Sequence, residues 1–328
     1  MKRFLAILVA IITLFGLASC KKSESNELNW NKTALADSYT VGAVEGAPTL
    51  SLVNVVDGGF TYAAEGKSVT TEVTVAADAK DVVSKLKNGE YDMAILPLNN
   101  AVTLYEDSGK REFRLASVNV FGVLYMIGKT DVTSFSDLKG KVINCVGYGG
   151  TPGLILKHLL KNNNVEYAEG ANAADNDRVY INAISAPAEA KGEYVVLGEP
   201  AVTAVCKQSG RKVVMDFKAE WQKIHGETAE FTQAGLVVNV SKVNKKYVES
   251  FVNHLKNNRE FLYANESAIN DKLRAMGSNG PISKLTYNKE ILDRCSIDCK
   301  TAISQKKNIE EFLRANGVAT PDASFYGV

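Results

Sequence analysis

The chain says nearly the same thing twice, and a repeated strand-turn-helix pattern leaves few folds open to it. The first copy reads Tyr39-Thr40-Val41-Gly42-Ala43-Val44, then Gly46-Ala47-Pro48, then an apolar stretch through Leu50, Leu52, Val53 and Val56. The second reads Lys141-Val142-Ile143-Asn144-Cys145-Val146, then Gly150-Thr151-Pro152, then Leu154, Ile155, Leu156, Leu159 and Leu160. Each is a strand, a tight Gly turn and a helix; proline suits the first helical turn, where its missing N–H would have had no intrahelical partner. Each copy continues to a second matching segment, Gly89-Glu90-Tyr91-Asp92-Met93-Ala94-Ile95-Leu96-Pro97 and Gly192-Glu193-Tyr194-Val195-Val196-Leu197-Gly198-Glu199-Pro200. Pro48 and Pro97 are 49 positions apart, and Pro152 and Pro200 are 48 apart, so order and spacing both recur. In the first copy Val82, Val83 and Leu86 give the intervening segment an apolar helical face behind Ala79. The second copy is irregular over 185–191, which predicts a shortened helix there. The competing interpretation is one large sheet whose turns match by coincidence.

Alternating strands and helices specify parallel sheets, with short turns at the carboxyl ends of the strands where ligands collect. Each Gly-x-Pro turn opens a helix whose first N–H groups lack intrahelical acceptors and carry the positive end of the helix dipole. Two halves facing each other would present the turns at Gly46 and Gly150 to a single ligand, with the turns after Pro97 and Gly198 lining the remaining edges.

At the N-terminus Lys2 and Arg3 precede an apolar run over 4–18, the layout of a secretory signal. As a helix that run spans about 22 Å, short of the roughly 30 Å hydrocarbon core, so removal is expected over retention. The run ends Leu17-Ala18-Ser19-Cys20, which resembles a bacterial lipoprotein. That resemblance implies cleavage before Cys20 and a lipid on its sulfur. Residues 21–31 are polar and charged, and a flexible tether is expected from 20 to 36. The charge is balanced, 38 basic against 37 acidic residues, with no long block of either sign, which argues against nucleic acid as a partner. Export permits disulfides among Cys145, Cys206, Cys295 and Cys299, in three possible pairings. Cys145 and Cys206 lie in apolar runs and are better read as buried thiols. Cys295 and Cys299 are spaced to meet on a helix, but no His follows to complete a zinc set, so no metal is expected.

At the repeated turns the chain resembles the periplasmic-binding-protein type II superfamily, specifically the aliphatic-sulfonate, nitrate, taurine and thiamine-precursor group of ABC-transporter substrate-binding proteins. The matching stretches are Glu45-Gly46-Ala47-Pro48, Tyr91-Asp92-Met93-Ala94-Ile95-Leu96-Pro97, Phe135-Ser136-Asp137-Leu138-Lys139-Gly140-Lys141, Gly149-Gly150-Thr151-Pro152, Leu197-Gly198-Glu199-Pro200 and Gln233-Ala234-Gly235-Leu236-Val237-Val238. The resemblance implies an α/β fold of two lobes, each a mixed sheet flanked by helices, joined by two hinge strands near 121–127 and 232–239. The expected division is a signal peptide at 1–19, the tether at 20–36, lobe 1 at 37–122, lobe 2 at 123–234, and a return to lobe 1 with C-terminal helices at 235–328. By the same analogy the ligand contacts are Glu45, Ala47, Thr49, Asn99, Asn100, Tyr125, Tyr148, Gly150, Thr151 and Glu199. Thr49 and Thr151 could equally satisfy helix-start N–H groups, Asn99 could cap a helix and Tyr125 could be a buried hinge aromatic. If Glu45 and Glu199 both face the cleft they repel an anion, so a cationic or neutral heterocycle is as open as a sulfonate. The stripes Tyr247, Val248, Phe251, Val252, Leu255 and Ile309, Phe312, Leu313 read as core.

The implied function is delivery of a small molecule to an ABC permease by a monomer, lipid-anchored at the outer face of the cytoplasmic membrane or in the periplasm, without a cofactor. A binding-fold lipoprotein acting as adhesin or sensor is the alternative. An enzyme of the same superfamily is disfavoured. His158, His225 and His254 have no partner at ligand or triad spacing, and no His-Glu-x-x-His or Gly-x-Ser-x-Gly occurs. Gly147-Tyr148-Gly149-Gly150-Thr151-Pro152 has Pro where a dinucleotide fingerprint needs its third Gly. Glu65-Gly66-Lys67-Ser68 ends like a phosphate loop whose first Gly is replaced by Thr61.

Overall fold

A computed structural model describes residues 30–190 and 192–328. The apolar run 4–18, Cys20 and the tether up to residue 29 lie outside the described residues. The chain is packed from Trp30 onward rather than from residue 36. Trp30–Lys32 forms a 3-10 turn, and the Trp30 indole N–H donates to the Val243 carbonyl at 2.8 Å. A half-buried indole supplies anchoring area together with that bond, and Thr33 adds a second, its hydroxyl donating to the Val240 carbonyl at 2.8 Å.

The first stretch contains β1 (Ser38–Val44), α1 (Ala47–Leu50), β2 (Tyr62–Ala64), β3 (Lys67–Ala76), α2 (Ala79–Asn88), β4 (Met93–Pro97), α3 (Leu98–Asp107) and β5 (Phe113–Val120). Then come β6 (Leu124–Gly128), β7 (Val142–Val146), α4 (Thr151–Asn162), β8 (Tyr167–Glu169), β9 (Val179–Ile184), β10 (Tyr194–Gly198), α5 (Ala201–Ser209), β11 (Lys212–Asp216) and α6 (Phe217–His225). The last stretch holds β12 (Ala234–Asn239), α7 (Lys245–Leu255), α8 (Asn258–Ala264), α9 (Ile269–Ala275), α10 (Lys289–Cys295), β13 (Ile297–Thr301) and α11 (Lys306–Ala315).

Two sheets result, of seven strands in the order β13-β5-β12-β4-β1-β3-β2 and of six in the order β11-β6-β10-β7-β9-β8. The repeat is visible in this order. β1 lies between β4 and β3, parallel to both, as β7 lies between β10 and β9. An antiparallel strand flanks the parallel trio in each case, β12 on β4 and β6 on β10. Between β9 and β10 the described residues make only the short 3-10 turn Pro187–Glu189 where the first copy has the full helix α2, the shortening expected from 185–191.

The helix after Gly46 is shorter than its apolar stretch suggested. α1 has four residues and continues as turns to residue 59. The buried amide of Asn258 explains the change: it donates to the Leu50 carbonyl at 2.9 Å and its oxygen accepts from the Asn54 N–H at 3.0 Å. Those bonds replace the ones a continuing helix would supply. Asn258 lies in α8, far along the chain.

The chain passes between the sheets twice. After β5 it crosses at Phe121-Gly122-Val123, where Gly122 adopts φ 77°, a region disfavoured for side-chain-bearing residues. The return is made by the loop 226–233, not by 232–239; β12 lies wholly within the seven-stranded sheet, paired with β4 and β5. Gln233 ties the crossings together, its N–H donating to the Val120 carbonyl at 2.9 Å and its side-chain oxygen accepting from the Val123 N–H at 3.1 Å. The two C-terminal stripes are core: Tyr247, Val248, Phe251, Val252 and Leu255 of α7 and Ile309, Phe312 and Leu313 of α11 are all buried. No described helix is long and apolar enough to cross a membrane.

The four described cysteines are free. Cys145, Cys295 and Cys299 are buried, but Cys206 is only half-buried. Cys295 and Cys299 do not share a helix. α10 stops at Cys295, Ser296 turns to φ 46°, and Cys299 lies in β13.

Candidate functional site

Four turns leave the carboxyl ends of parallel strands and open helices: β1 into α1 at Gly46, β4 into α3 at Pro97, β7 into α4 at Gly150, and β10 into α5 at Glu199-Pro200. The first two belong to the seven-stranded sheet and the last two to the six-stranded one. Two of them, the turns that open α3 and α4, face one another across the gap between the sheets. The Thr151 hydroxyl at the start of α4 donates to the Asn99 side-chain oxygen at the start of α3, at 3.2 Å. The sequence left open whether Thr151 served only its own helix; its bond is to the opposite lobe.

The remaining expected residues divide by what their polar atoms already do. Gly150 precedes α4 as its cap, and Gly46 reaches φ 124° before α1, a conformation open to glycine because it has no Cβ. Ala47 is buried at the start of α1, and Asn100 is half-buried beside Asn99. The Thr49 hydroxyl is buried and turned back on the Val44 carbonyl at 2.9 Å. Tyr125 is buried and donates to the Arg294 carbonyl at 3.1 Å; burial pushes its phenol well above the ordinary value. Tyr148 donates to Glu169 at 2.8 Å under the ammonium of Lys157, 4.7 Å from the ring centre.

The two acidic residues differ. Glu45 is half-buried and accepts from the Ser278 hydroxyl at 2.8 Å; burial raises its carboxyl above the usual range, opposed by that bond. Glu199 has no exposed side-chain surface. One of its oxygens accepts from the Arg294 guanidinium at 2.6 Å and from the Thr203 hydroxyl at 2.9 Å, and the other from the Thr203 N–H at 3.1 Å. It therefore brings no uncompensated negative charge to the gap. The expectation that Glu45 and Glu199 together favour a cation loses half of its basis.

Sequence reasoning missed the segment that joins these acids. Ser278, ahead of α10, reaches Glu45, and Arg294, in α10, reaches Glu199, Thr203 and Glu290. Tyr287 is buried between them, its hydroxyl donating to the Ile282 carbonyl at 2.8 Å. The Glu290 and Arg294 spacing within a helix was readable, but nothing local pointed Arg294 at a residue 95 positions away. Among the described residues no three His, Cys, Asp or Glu side chains converge in a metal-holding group.

The family model described as NMT1/THI5 like matches residues 57–267. The chain belongs to the NMT1/THI5-like family. Solved structures share the fold of this NMT1/THI5-like protein over nearly its whole length. An ABC transporter protein from Parabacteroides distasonis is 19% identical with a TM-score of 0.68, covering 89% of this chain and 99% of its own. The periplasmic aliphatic sulphonate binding protein of Escherichia coli is 12% identical at a TM-score of 0.60, over 89% and 92%. The ligand binding component of an ABC-type import system from Staphylococcus aureus is 13% identical at 0.59, over 89% and 96%. These likenesses establish the periplasmic-binding-protein fold. No curated protein sequence matches the chain.

Proposed function

We propose that this chain is the extracytoplasmic solute-binding component of an ABC importer, a lipoprotein anchored through Cys20 that takes a small organic molecule between its lobes and passes it to a permease. The hydrogen bond from Thr151 to Asn99 carries the proposal, because it sets two helix starts from opposite sheets against one another at strand ends. The N–H groups at the starts of α3, α4 and α5 favour a ligand rich in acceptor oxygens. Asn99, Asn100, Gly150 and Thr151 are the contacts this reading favours most, with Ala47, Tyr148 and Glu45 at the margins. Thr49, Tyr125 and Glu199 have their polar atoms engaged within the protein and would shape the gap rather than touch the solute. The lobes would be 37–122 with 235–328, and 123–234. The chain works without catalysis.

A thermal-shift screen of the mature protein against sulfonates, amines, nucleobases, thiamine precursors and cell extract tests the reading. A native-state ligand at a hundred times its Kd stabilises by about 2.7 kcal/mol, which raises the melting point by about 4 °C in a chain of this size. No movement with any of these would count against solute binding. Palmitate label should enter the full-length protein and be lost in Cys20→Ser.

A further inference from the structure

Three side chains that no sequence spacing connects form a continuous hydrogen-bonded chain away from the cleft. His158 of α4 and His225 of α6 place their Nε2 atoms 3.0 Å apart, and His225 Nδ1 lies 2.9 Å from Glu311 Oε1 of α11. The ring centres are 5.2 Å apart, so the two facing nitrogens are the nearest atoms and the rings are joined edge to edge. Asn162 brings its amide to 3.4 Å from His158 Nδ1 and bonds the His158 carbonyl at 2.8 Å. Trp221 stacks on His225 at 3.9 Å between ring centres.

Such a bond needs one nitrogen with its proton and one without. It survives with both rings neutral, or with a single charge on the pair facing Glu311. With both rings charged, two N–H groups confront each other at 3.0 Å and neither can accept. The surroundings oppose that second proton. Lys157 and Lys161 of α4 and Arg314 of α11 line the same open cavity of about 620 Å³, with Tyr167, and Glu311 is the only carboxylate there among the described lining residues.

The place of the cluster gives it leverage. α11 packs against both α3 and α4, the two helices whose starts meet at Asn99 and Thr151. We propose that His158, His225 and Glu311 form a proton-sensitive tie that holds α4, α6 and α11 together, intact with at most one added proton on the imidazole pair and released by the second. Release frees α4 from the α6 and α11 side, and the contact at its other end loosens with it. The proposal concerns the geometry of the lobes and holds whichever solute the cleft takes.

Burial, then the neighbouring His225 ring, then Lys161 depress His158 from 6.5 to about 4, with Glu311 acting the other way. Because the folded value lies below the unfolded one, the contribution is complete above pH 6.5 and fades as the pH falls toward 4.

The experiment is an NMR titration of the histidine ring signals in the full mature protein from pH 8 to 4, following the Thr151 amide in the same spectra. The expected result is a His158 midpoint near 4, a shift of that midpoint upward in His225→Gln, and a Thr151 signal that moves with His158. A His158 midpoint near 6.5, or one unchanged in His225→Gln, overturns the tie. A Thr151 amide that ignores the titration overturns its link to the cleft. His158→Gln, which can still donate to His225 without titrating, should flatten the loss of melting temperature between pH 6.5 and 4; an unchanged slope also contradicts the proposal.

Discussion

Replacing Glu199 by alanine should loosen the lobes more than any other single change at the gap. Its side chain is wholly buried and accepts three bonds, two from Thr203 and one from Arg294. Removing one partner of a buried ion pair costs about 3–5 kcal/mol when the other is left stranded. Here Arg294 is 24% exposed and keeps Glu290 at 2.5 Å, so the loss should fall to about 2–3 kcal/mol, or roughly 3–5 °C in melting point. Urea unfolding followed by circular dichroism reads this directly. A double-mutant cycle with Arg294→Met isolates the pair, and a coupling of about 1–2 kcal/mol is expected because the residues touch. Glu199→Gln, which can still accept from Thr203, should cost less than Glu199→Ala. A Glu199→Ala protein within about 0.5 kcal/mol of wild type, or a cycle with no coupling, would refute the assignment of a lobe-to-lobe tie to this pair.

Thr151→Ala removes one neutral hydrogen bond across the gap and should weaken binding of a screened solute by about fivefold to tenfold, measured by calorimetry. Gly46→Ala meets open space, its nearest neighbour being a Pro48 carbon at 3.9 Å, yet forces a side chain to φ 124°; a strain cost of about 1–3 kcal/mol should appear in urea unfolding. Iodoacetamide on the native protein should modify Cys206 first among the four described thiols, as peptide mass mapping would show. Cys145 and Cys299 are buried, and burial pushes their thiols to about 12 and about 11, while Cys295 is pushed well above its usual value.

The sequence disclosed what backbone geometry imposes locally. Gly46 and Gly150 mark turns that the chain must make, and the recurrence of Pro48 and Pro97 in Pro152 and Pro200 tracks the shared strand order β4-β1-β3 and β10-β7-β9. The stripes in α7 and α11 were legible because helical period and burial coincide. Long-range polar pairing left no such trace. Arg294 finds Glu199, Asn258 ends α1 early, Trp30 docks on Val243, and His158 meets His225 across 67 positions, each through contacts that periodicity does not encode. The ligand contacts were named from a resemblance. The fold brings Asn99 and Thr151 together, but it spends the polar atoms of Thr49, Tyr125 and Glu199 on the protein itself.

The proposed function places a solute between the two sheets, and a ligand that contacts both should draw them together. Nitroxide labels at the exposed positions Lys80 and Lys161, in a Cys206→Ser background, report that separation by electron–electron resonance. A solute taken from the thermal-shift screen should shorten and narrow the distance distribution, and Thr151→Ala should require more solute for the same change. A solute that raises the melting point while leaving the distribution untouched would place its site elsewhere and contradict the account.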